Sequence, residues 1–437
     1  MGHLTGKDLY RRLGKKIDQL PCRAPGNETL YNILAELYTT IEAEVVIKMP
    51  YTLSSLNKIA RATGFKPDTL RTILNSLCHK GLVVDICVRD RCYYMPSPMI
   101  IGIFEFSMMR TGKDVDSKKL AGLFHQYMLN SEDFLAANFA NGEKIGIERT
   151  LPHLEAVADD EKMEILDYED IEAIMERHDT FAIGICSCRH EKMHLGLKEC
   201  DIPLEKCSTF GVAADYLIRN ELARQVSREE MLDNVAASRE QGLVFCADNV
   251  RQNVTFVCHC CKCCCNALAG IREYGYPKIV VTSTYIAAVD DEACIGCGSC
   301  ARACPVNAIT MFPATNAEGK KTKIPRLNQD ICLGCGVCAL KCKPQAIKLV
   351  KREQRVIHPE NTFERIILQC LERGTLQNQL FDEPGKISHQ VMRGILGGFL
   401  RLPPVKKALM SDLLRSRFLS AVKGGAGKQG KGWMTKI

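Results

Sequence analysis

Several features that would place this chain in a familiar class are missing from its sequence. No stretch approaches the roughly 18 uninterrupted apolar residues that a membrane span needs, and the opening residues, MGHLTGKDLYRRLGKK, lack the apolar core of a secretion signal. A GxGxxG turn after a strand and the phosphate-binding pattern GxxxxGK[ST] are also absent. These absences predict a soluble, cytoplasmic protein with no nucleotide cofactor and no coupling to ATP.

Cysteine, by contrast, is abundant. The 437 residues include 24 cysteines, and six of them fall within CHCCKCCC, from Cys258 to Cys265. A reducing cytoplasm keeps thiols reduced unless a metal binds them, so we expect metal sites rather than a disulfide framework. Isolated cysteines can also serve as small apolar side chains, which is our interpretation of five of them: Cys22, Cys78, Cys87, Cys92 and Cys370. A run of six does not fit that interpretation.

The excess positive charge lies in the last fifth of the chain. The net charge is +7, and residues 351–437 carry 16 Lys or Arg against 7 Asp or Glu. The pattern indicates amphipathic helices broken at Pro403-Pro404, with these basic residues among the apolar ones: Arg401, Lys406, Lys407, Arg415 and Arg417. We interpret the region as a partner-binding helix pair, with an interfacial membrane helix or a solvated packing helix as alternatives. The final stretch, KGGAGKQGKG, is expected to be flexible.

After an N-terminal arm, residues 28–97 have the element order of a winged helix. An apolar-periodic helix is followed by one that Thr52 could cap and Gly64 could end, and a third begins near Pro67. Two β-rich runs, LVVDICV and RCYYMP, then flank a turn at Arg89-Asp90 and form the predicted wing. Winged helices bind DNA in many proteins and contact other proteins in many more.

Four polar residues on or near the third helix could face a DNA groove: Lys66, Arg71, Asn75 and His79. Basic residues hardly outnumber acidic ones in this region, however, which is a weak electrostatic footprint for DNA. Nucleic-acid binding is therefore the less favoured role of the winged helix.

Residues 98–180 have a helical pattern, and their acidic stretch, ADDEKMEILDYEDIEAIMERHD, is predicted to form a solvated helical face. From 181 to 289, apolar β runs such as FAIGIC and VTFVCHC end in cysteines. The candidate ligands of additional metal centres are Cys186, Cys188, Cys200, Cys207, Cys258, Cys260, Cys261, Cys263, Cys264 and Cys265. If the second strand continued through the run, alternate thiols would point in different directions. Either two metal centres or one centre with a reactive thiol pair would suit that geometry.

The strongest signal is an internal repeat with a period of 38 residues. At this offset Cys294, Cys297, Cys300 and Cys304 recur as Cys332, Cys335, Cys338 and Cys342, and Gly296 and Gly298 recur as Gly334 and Gly336. Each copy reads CxxCxxCxxxC. Three thiolates at this spacing can take three corners of an iron–sulfur cubane, while the glycines let backbone amides approach the sulfurs.

Over residues 290–350 these motifs resemble the two-cluster bacterial ferredoxin family. The resemblance implies two [4Fe-4S] clusters with crossed ligands, the first held by Cys294, Cys297, Cys300 and Cys342 and the second by Cys332, Cys335, Cys338 and Cys304. Cys304-Pro305 fits the family's CP pattern, whereas Lys343 separates Cys342 from Pro344, so the proline of the second copy is displaced by one residue. Zinc at CxxC pairs is the alternative. The linker FPATNAEGKKTKIPRLNQ is expected to be a surface loop.

The preceding cysteines, with GLVFCADN between the CxC pair and the CHCC run, are similar to a cysteine-rich domain found before dicluster ferredoxin modules in proteins of anaerobic bacteria and archaea. This resemblance implies one or two further iron–sulfur clusters and a role in a redox complex. His190 and His259 are expected to be structural or to donate hydrogen bonds to sulfur rather than to ligate. Arg189 would place positive charge near a cluster or pair with a carboxylate.

The sequence thus predicts an α+β multidomain protein. Its predicted parts are an arm (1–27), a winged-helix-like domain (28–97), a helical connection (98–180), a mixed α/β cysteine-rich domain (181–289), a ferredoxin-like dicluster domain (290–350) and a basic helical region (351–437). The predicted function is the relay of low-potential electrons to a partner redox protein or oxidoreductase subunit. An iron–sulfur redox sensor that binds DNA and an oxidoreductase with its active site in the cysteine-rich domain are the alternatives.

Overall fold

The computed structural model describes residues 2–88, 91–112, 115–139, 145–315, 321–353, 356 and 358–436. Helices and strands are both well represented over these ranges, which confirms the predicted α+β class. The described strands form a three-stranded sheet, a seven-stranded sheet and two two-stranded pairs. The division into the named domains stays a prediction.

The N-terminal part consists of helices followed by a small antiparallel sheet. Its elements are α1 (Gly2–Ile17), α2 (Glu28–Leu37), α3 (Thr40–Lys48), β1 (Ser54–Ser55), α4 (Leu56–Thr63), α5 (Pro67–His79), β2 (Val83–Val88) and β3 (Arg91–Pro96). Strand β3 lies between β1 and β2. The predicted turn at Arg89-Asp90 lies outside the described residues.

The cap of α4 differs from the predicted one. Ser55, not Thr52, caps the helix, because the Ser55 side chain accepts the backbone N–H of Lys58. Residues 54–55 pair with β3, so the helix begins one turn later than the sequence suggested. The hydroxyl of Thr52 instead donates to a carboxylate oxygen of Asp382, at 2.5 Å. Gly64 ends α4 in the left-handed conformation, as predicted.

Cys87 and Cys92 form a disulfide, so their interpretation as isolated apolar side chains is wrong. The register of β2 and β3 places them directly opposite each other, with their Cα atoms 4.0 Å apart. This pairing depends on a hairpin register that composition alone does not reveal. The other three isolated cysteines are buried, as expected: Cys22, Cys78 and Cys370.

Residues 98–180 are helical only in part. Their α-helices and strand are α6 (Phe104–Met109), α7 (Ser117–Met128), α8 (Glu132–Phe139), β4 (Glu148–Leu151) and α9 (Ile171–Met175). The acidic stretch is not one helical face, since short 3-10 turns at 159–164 and 167–169 divide it. Glu169 within it is buried and accepts hydrogen bonds from the backbone N–H and the hydroxyl of Thr284, at 2.9 and 2.5 Å. That carboxylate is therefore a structural anchor rather than part of a solvated face.

A seven-stranded sheet in the order β10-β4-β8-β9-β6-β5-β7 forms the middle of the molecule. With β4 it comprises β5 (Phe181–Ile185), β6 (Glu205–Phe210), β7 (Ala223–Val226), β8 (Val244–Asp248), β9 (Phe256–Cys260) and β10 (Val280–Val281). The helices between these strands are α10 (Ser187–His194), α11 (Gly211–Arg219), α12 (Arg228–Glu240) and α13 (Asn266–Arg272). The two strands predicted to end in cysteines are β5 and β9.

The repeat region contains two copies of a loop, a short helix and a strand. Its elements are β11 (Tyr285–Val289), α14 (Ser299–Ala303), β12 (Ile309–Thr315), β13 (Lys321–Leu327), α15 (Val337–Leu340) and β14 (Ile347–Lys351). Strand β11 pairs with β14, and β12 pairs with β13. The predicted linker loop is thus a β-hairpin, whose residues 316–320 lie outside the described ranges. Apolar and polar residues alternate too irregularly along β12 and β13 for the sequence to have indicated this hairpin.

The C-terminal region is helical, with the predicted break at Pro403. Its helices are α16 (Thr362–Arg373), α17 (Leu376–Leu380), α18 (Ile387–Leu400), α19 (Pro403–Leu409) and α20 (Asp412–Lys428). Helix α20 includes much of the stretch expected to be a flexible end. Four large apolar side chains of α18 are exposed at intervals of four residues: Ile387, Val391, Ile395 and Phe399. Among the described residues, the helices are too short or too polar to cross a membrane.

Candidate metal centres

The cysteines of the repeat occupy equivalent places in the two copies. In each copy a cysteine-bearing loop leads into α14 or α15, and β12 or β14 follows. The displaced proline does not alter the turn, because Asn307 and Gln345, which correspond at the 38-residue offset, both have a φ of 55°. The two copies therefore present their thiols in the same way.

The predicted ligands of the second cluster surround one small cavity. Its lining includes all four thiols and several apolar side chains: Cys304, Cys332, Cys335, Cys338, Val306, Leu333 and Leu349. All four thiols are buried. Burial raises the pKa of Cys335, and the neighbouring thiols Cys338 and Cys332 raise it further. Four thiols that converge in an apolar enclosure fit the ligand requirement of a [4Fe-4S] cubane.

The predicted ligands of the first cluster lie nearer the surface. Burial raises the pKa of Cys300, and the adjacent Cys294 and Cys342 raise it further, so these three thiols lie together. Cys297 is exposed, and its thiol donates to the hydroxyl of Ser299 at 3.4 Å. Ile295, between two of these cysteines, is 68% exposed. Solvent and other molecules therefore reach the first site more easily than the second.

In the cysteine-rich region, the structure gathers four thiols into what we call the outer group: Cys200, Cys261, Cys263 and Cys264. Their sulfur atoms all lie within 4.8 Å of one another, and the closest pairs are 3.4 to 4.0 Å apart. The group forms because β9 ends at Cys260 and the chain turns before α13 begins at Asn266. Three thiols of the turn then meet Cys200, which comes from a loop 61 residues earlier.

A buried cation lies beside the outer group. The guanidinium of Arg189 is fully buried and donates hydrogen bonds to the carbonyl oxygens of Pro203 and His259, at 3.0 and 2.9 Å. It also lies 3.7 Å from the sulfur of Cys261. Hydrogen bonds from Cys264 and the charge of Arg189 hold the pKa of Cys261 well below its ordinary value. Of the two partners expected for Arg189, the structure shows the sulfur.

A second set of thiols, which we call the interior group, lies behind the end of β9: Cys188, Cys207, Cys258, Cys260 and Cys265. These thiols form a continuous series of contacts. Cys258 contacts Cys207 and Cys260, Cys260 contacts Cys265, and Cys265 contacts Cys188. Cys246 of β8 contacts Cys260 from behind.

The interior group borders an apolar cavity of about 180 Å³. All five thiols line it, together with Cys186, with Cys261 and Cys264 at the edge of the outer group, and with apolar side chains of α6, α7 and α8. Two buried carboxyl groups also face the cavity, and burial raises the pKa of Glu105 to about 7 and that of Glu148 to about 8. Burial likewise raises the pKa of Cys186 to about 12, and its neighbours Cys188 and Cys261 belong to different groups. Cys186 therefore lies between the two groups.

The two histidines beside the cysteines contact groups other than thiols. The ring of His259 lies between the hydroxyls of Ser208 and Ser238, 2.8 Å from each. Nδ1 of His190 is 2.7 Å from the carbonyl oxygen of Met108, and its Nε2 is 2.9 Å from His194. The ring nitrogens of both histidines therefore contact groups other than sulfur, in agreement with a structural role.

The outer group is attached to the repeat region through Lys262, which stands in the middle of the cysteine run. Its ammonium donates to the side-chain oxygen of Asn307 at 2.8 Å and to the carbonyl oxygen of Arg302 at 3.4 Å. Arg272 donates to the carbonyl oxygens of both Lys262 and Pro305, at 2.9 and 3.2 Å. The segment contacted in this way carries Cys304, a predicted ligand of the second cluster. Sequence reasoning passed over Lys262, although its position between cysteines could have drawn attention to it.

His153 makes a second connection that the sequence did not indicate. Its backbone N–H donates to the carbonyl oxygen of Cys335 at 3.0 Å, and its Nε2 lies 2.8 Å from the carbonyl oxygen of Leu243. Leu243 packs against Cys261 and Cys264 of the outer group. A single buried residue thus spans the space between the second predicted cluster and the outer group.

Comparison with known protein families gives a match over part of the chain. Residues 293–355 match the family described as the 4Fe-4S dicluster domain. No curated protein and no solved structure matches the chain. The matched segment contains the eight cysteines of the repeat, and the chain therefore carries a 4Fe-4S dicluster domain with an iron–sulfur electron-transfer role.

Proposed function

We propose that this protein relays electrons between the two clusters of its dicluster domain and a third iron–sulfur cluster held by the outer group. The observation that carries the proposal is the contact of Lys262 with Asn307 and Arg302. It places the turn with three outer thiols directly against the segment that bears Cys304. Clusters bound by two adjoining segments can exchange single electrons without any further catalytic residue.

The surroundings of the outer group support a redox centre. Four thiols are the number that one [4Fe-4S] cubane takes. The guanidinium of Arg189 provides positive charge and an N–H next to sulfur, and such groups favour the reduced state of a cluster. His153 adds a second bridge of hydrogen bonds toward Cys335.

Zinc is the competing occupant of the outer group. Zn–S bonds of about 2.3 Å in a tetrahedral site put sulfur atoms about 3.8 Å apart, close to the separations of 3.4 to 4.0 Å between the nearest outer thiols. Zinc has no redox chemistry. It would make the outer group a structural clamp on the dicluster domain rather than a relay.

The partner redox protein would dock at the first cluster of the dicluster domain. Cys297 is exposed there, and Ile295 and Phe312 expose 68% and 50% of their surfaces nearby in the same domain. An apolar patch beside a cluster is suited to a transient protein contact. We therefore place the exchange of electrons with the partner at this end of the chain of clusters.

Residues of the N-terminal sheet contact distant parts of the same chain, which favours a structural role for this sheet over DNA binding. The ring of Tyr93 on β3 packs on Trp433, with centroids 4.4 Å apart, and Asp85 on β2 accepts a hydrogen bond from Arg219 at 2.9 Å. The four polar candidates for DNA contact are exposed: Lys66, Arg71, Asn75 and His79. Salt-dependent binding of random duplex DNA would revive the regulatory alternative.

The test is metal analysis of the full chain, purified without oxygen, in the parent and in Cys263→Ser. The parent should contain acid-labile sulfide and iron, and the variant should lose about four irons per chain. The electron paramagnetic resonance spectrum of the dithionite-reduced variant should keep the signals of the dicluster pair. Cys370→Ser, which changes a buried thiol among the C-terminal helices, is the matched control and should keep all its iron.

Loss of about one zinc instead of iron from Cys263→Ser would refute the third cluster. A parent protein with almost no iron would refute the electron-transfer proposal as a whole.

A further inference from the structure

The interior group has no role in the relay described above. All five of its thiols line the apolar cavity, whereas Cys370, an isolated buried cysteine, packs among apolar side chains of the C-terminal helices. Thiols from separate elements seldom converge by chance, since one strand or helix seldom brings more than two to the same place. The convergence therefore needs a cause in the fold.

The sheet supplies part of that cause. Cys246 of β8 and Cys258 of β9 are direct cross-strand neighbours. On the other side of β9, Ser208 pairs with Val257, so the next pair in this antiparallel register brings Cys207 beside Cys258. Laterally adjacent residues point to the same face of a sheet, and Cys260, two residues along β9, shares that face. Strands β6 and β9 thus present three thiols to the cavity, and Cys246 of β8 adjoins them in the sheet.

Two helix starts supply the remaining thiols. Cys188 lies in the first turn of α10, and Cys265 directly precedes α13. A buried polar network joins these helices: Lys192 donates to Glu191 at 3.0 Å and to Asn266 at 2.7 Å, and Asn266 donates to Glu191 at 2.5 Å. Buried charges are costly unless they are fully paired. Here the paired charges fix the positions of Cys188 and Cys265 relative to each other.

The cavity provides space and backbone donors. It measures about 180 Å³ and is lined mostly by apolar side chains, with Glu105, Glu148, Arg189 and His259 among its polar lining residues. The backbone N–H of Asn266 donates to the sulfur of Cys188. Amide hydrogen bonds to sulfur are a usual feature of protein-bound iron–sulfur clusters. Thiols, space and N–H donors therefore occur together at one buried place.

From this arrangement we infer that the interior group binds a second iron–sulfur centre of the cysteine-rich region, separate from the outer group. This inference rests on the proposed function, because the new centre would extend the same chain of clusters inward from the outer group. Cys186, which lies between the groups, would stand at the junction. The five thiols of the interior group exceed the four ligands of one cubane, so one of them remains free or the centre differs from a simple cubane.

The experiment compares iron and acid-labile sulfide per chain in the parent, Cys207→Ser and Cys258→Ser, all purified without oxygen as the full chain. Both changes lie outside the turn of the outer group. Each variant should lose about four irons and keep the reduced-state spectra of the dicluster pair. Cys263→Ser should lose a different spectral component, and the double variant Cys207→Ser with Cys263→Ser should lose the sum of both.

A measurement without substitution guards against variants that fail to fold. Crystals of the parent, measured at the iron absorption edge, should show an anomalous peak in the cavity beside β9. The inference would be overturned if Cys207→Ser and Cys258→Ser contained as much iron per chain as the parent, or if the cavity showed no iron peak. The cavity would then be a pocket for a small apolar ligand, since an apolar cavity of about 150 Å³ accepts benzene. The proposed relay is judged separately, by the iron that Cys263→Ser loses.

Discussion

At the scale of the residue, Arg189 shows how the fold places a positive charge next to sulfur. Its guanidinium is fully buried, and it donates hydrogen bonds to two carbonyl oxygens and to the sulfur of Cys261. Burial alone would lower the pKa of Arg189, but the thiols Cys186 and Cys261 raise it above its ordinary value. The charge that balances this cation is therefore carried by sulfur.

The substitution Arg189→Met should shift the reduction potential of the outer centre to more negative values. Removal of the cation takes away a charge that favours the reduced cluster. A hydrogen bond to a charged group contributes about 1.5–3 kcal/mol, and about 59 mV corresponds to a tenfold change for one electron. We expect a shift on the order of 100 mV, measured by a redox titration followed by electron paramagnetic resonance.

Two further variants serve as controls for Arg189→Met. Arg189→Lys keeps the charge and should shift the potential less than Arg189→Met does. Arg177→Met removes a cation that pairs with Asp167 at the surface, at 2.9 Å, and should leave the potential unchanged. An unchanged or more positive potential in Arg189→Met would contradict the electrostatic role.

At the scale of the element, the loop of the second motif is fitted tightly against the start of β11. Gly334 has a φ of 68°, and a Cβ atom there would lie 2.1 Å from the carbonyl oxygen of Tyr285 and 2.4 Å from the hydroxyl oxygen of Ser283. That hydroxyl donates to the carbonyl oxygen of Gly334 at 2.8 Å. The strand and the cysteine loop therefore need a residue without a side chain at this position.

Gly334→Ala should destabilise the protein and reduce the occupancy of the second cluster. An alanine at positive φ costs about 1–2 kcal/mol, and the clash with backbone adds about 1–3 kcal/mol of overpacking. We expect loss of up to about four irons per chain and a lower midpoint of urea unfolding.

Gly298→Ala is the matched control for this element. Gly298 also has a positive φ, of 70°, but a Cβ atom there meets only the flexible end of Arg302, at 3.3 Å, and Met311 at 3.7 Å. Gly298→Ala should lose only the stability that alanine at a positive φ costs, and it should keep its iron. Equal iron loss in both alanine variants would show that the contact with β11 is unimportant.

The sequence predicted well where function depends on local spacing. The repeated CxxCxxCxxxC pattern placed eight thiols in two equivalent loops, because spacing of two and three residues directly determines which side chains share a turn. The starts and ends of single elements were also readable, as at Gly64 and Pro403, where backbone restrictions of glycine and proline act within a few residues.

What the sequence could not predict depends on contacts between distant segments. The residue at which β9 ends decides whether Cys265 joins the interior group, with Cys260, or the outer group, with Cys261. Cys200 joins the outer group across 61 residues of chain, and the disulfide of Cys87 with Cys92 requires the register of a hairpin. Local periodicity carries no information on any of these, since each is settled by tertiary packing.

At the scale of the whole molecule, Asp382 ties the N-terminal part to the C-terminal region. Its carboxylate accepts hydrogen bonds from Lys58 at 2.9 Å, from Lys431 at 2.7 Å and from Thr52 at 2.5 Å. Asp382 is buried, and its backbone carbonyl also accepts the N–H of Tyr51 at 2.9 Å. Residues more than 300 positions apart thus meet at one carboxylate, and the dicluster domain lies between them in the chain.

The substitution Asp382→Asn should weaken this tie without affecting the clusters. Burial alone would raise the pKa of Asp382, but Lys431, Thr52 and Lys58 lower it to about 2. Because the folded-state pKa lies below the unfolded value, the carboxylate stabilises the fold above about pH 4, and this contribution is lost as the pH falls toward 2. The shift corresponds to roughly 2–3 kcal/mol of unfolding free energy at pH 7.

Denaturant unfolding without oxygen should show this difference between Asp382→Asn and the parent equally at pH 7 and pH 5, with iron content unchanged. Asp412→Asn, which removes an exposed carboxylate paired with Arg415 at 3.0 Å, should change stability by less than about 0.5 kcal/mol. A difference for Asp382→Asn that already disappears between pH 7 and pH 5 would show that another group controls the tie.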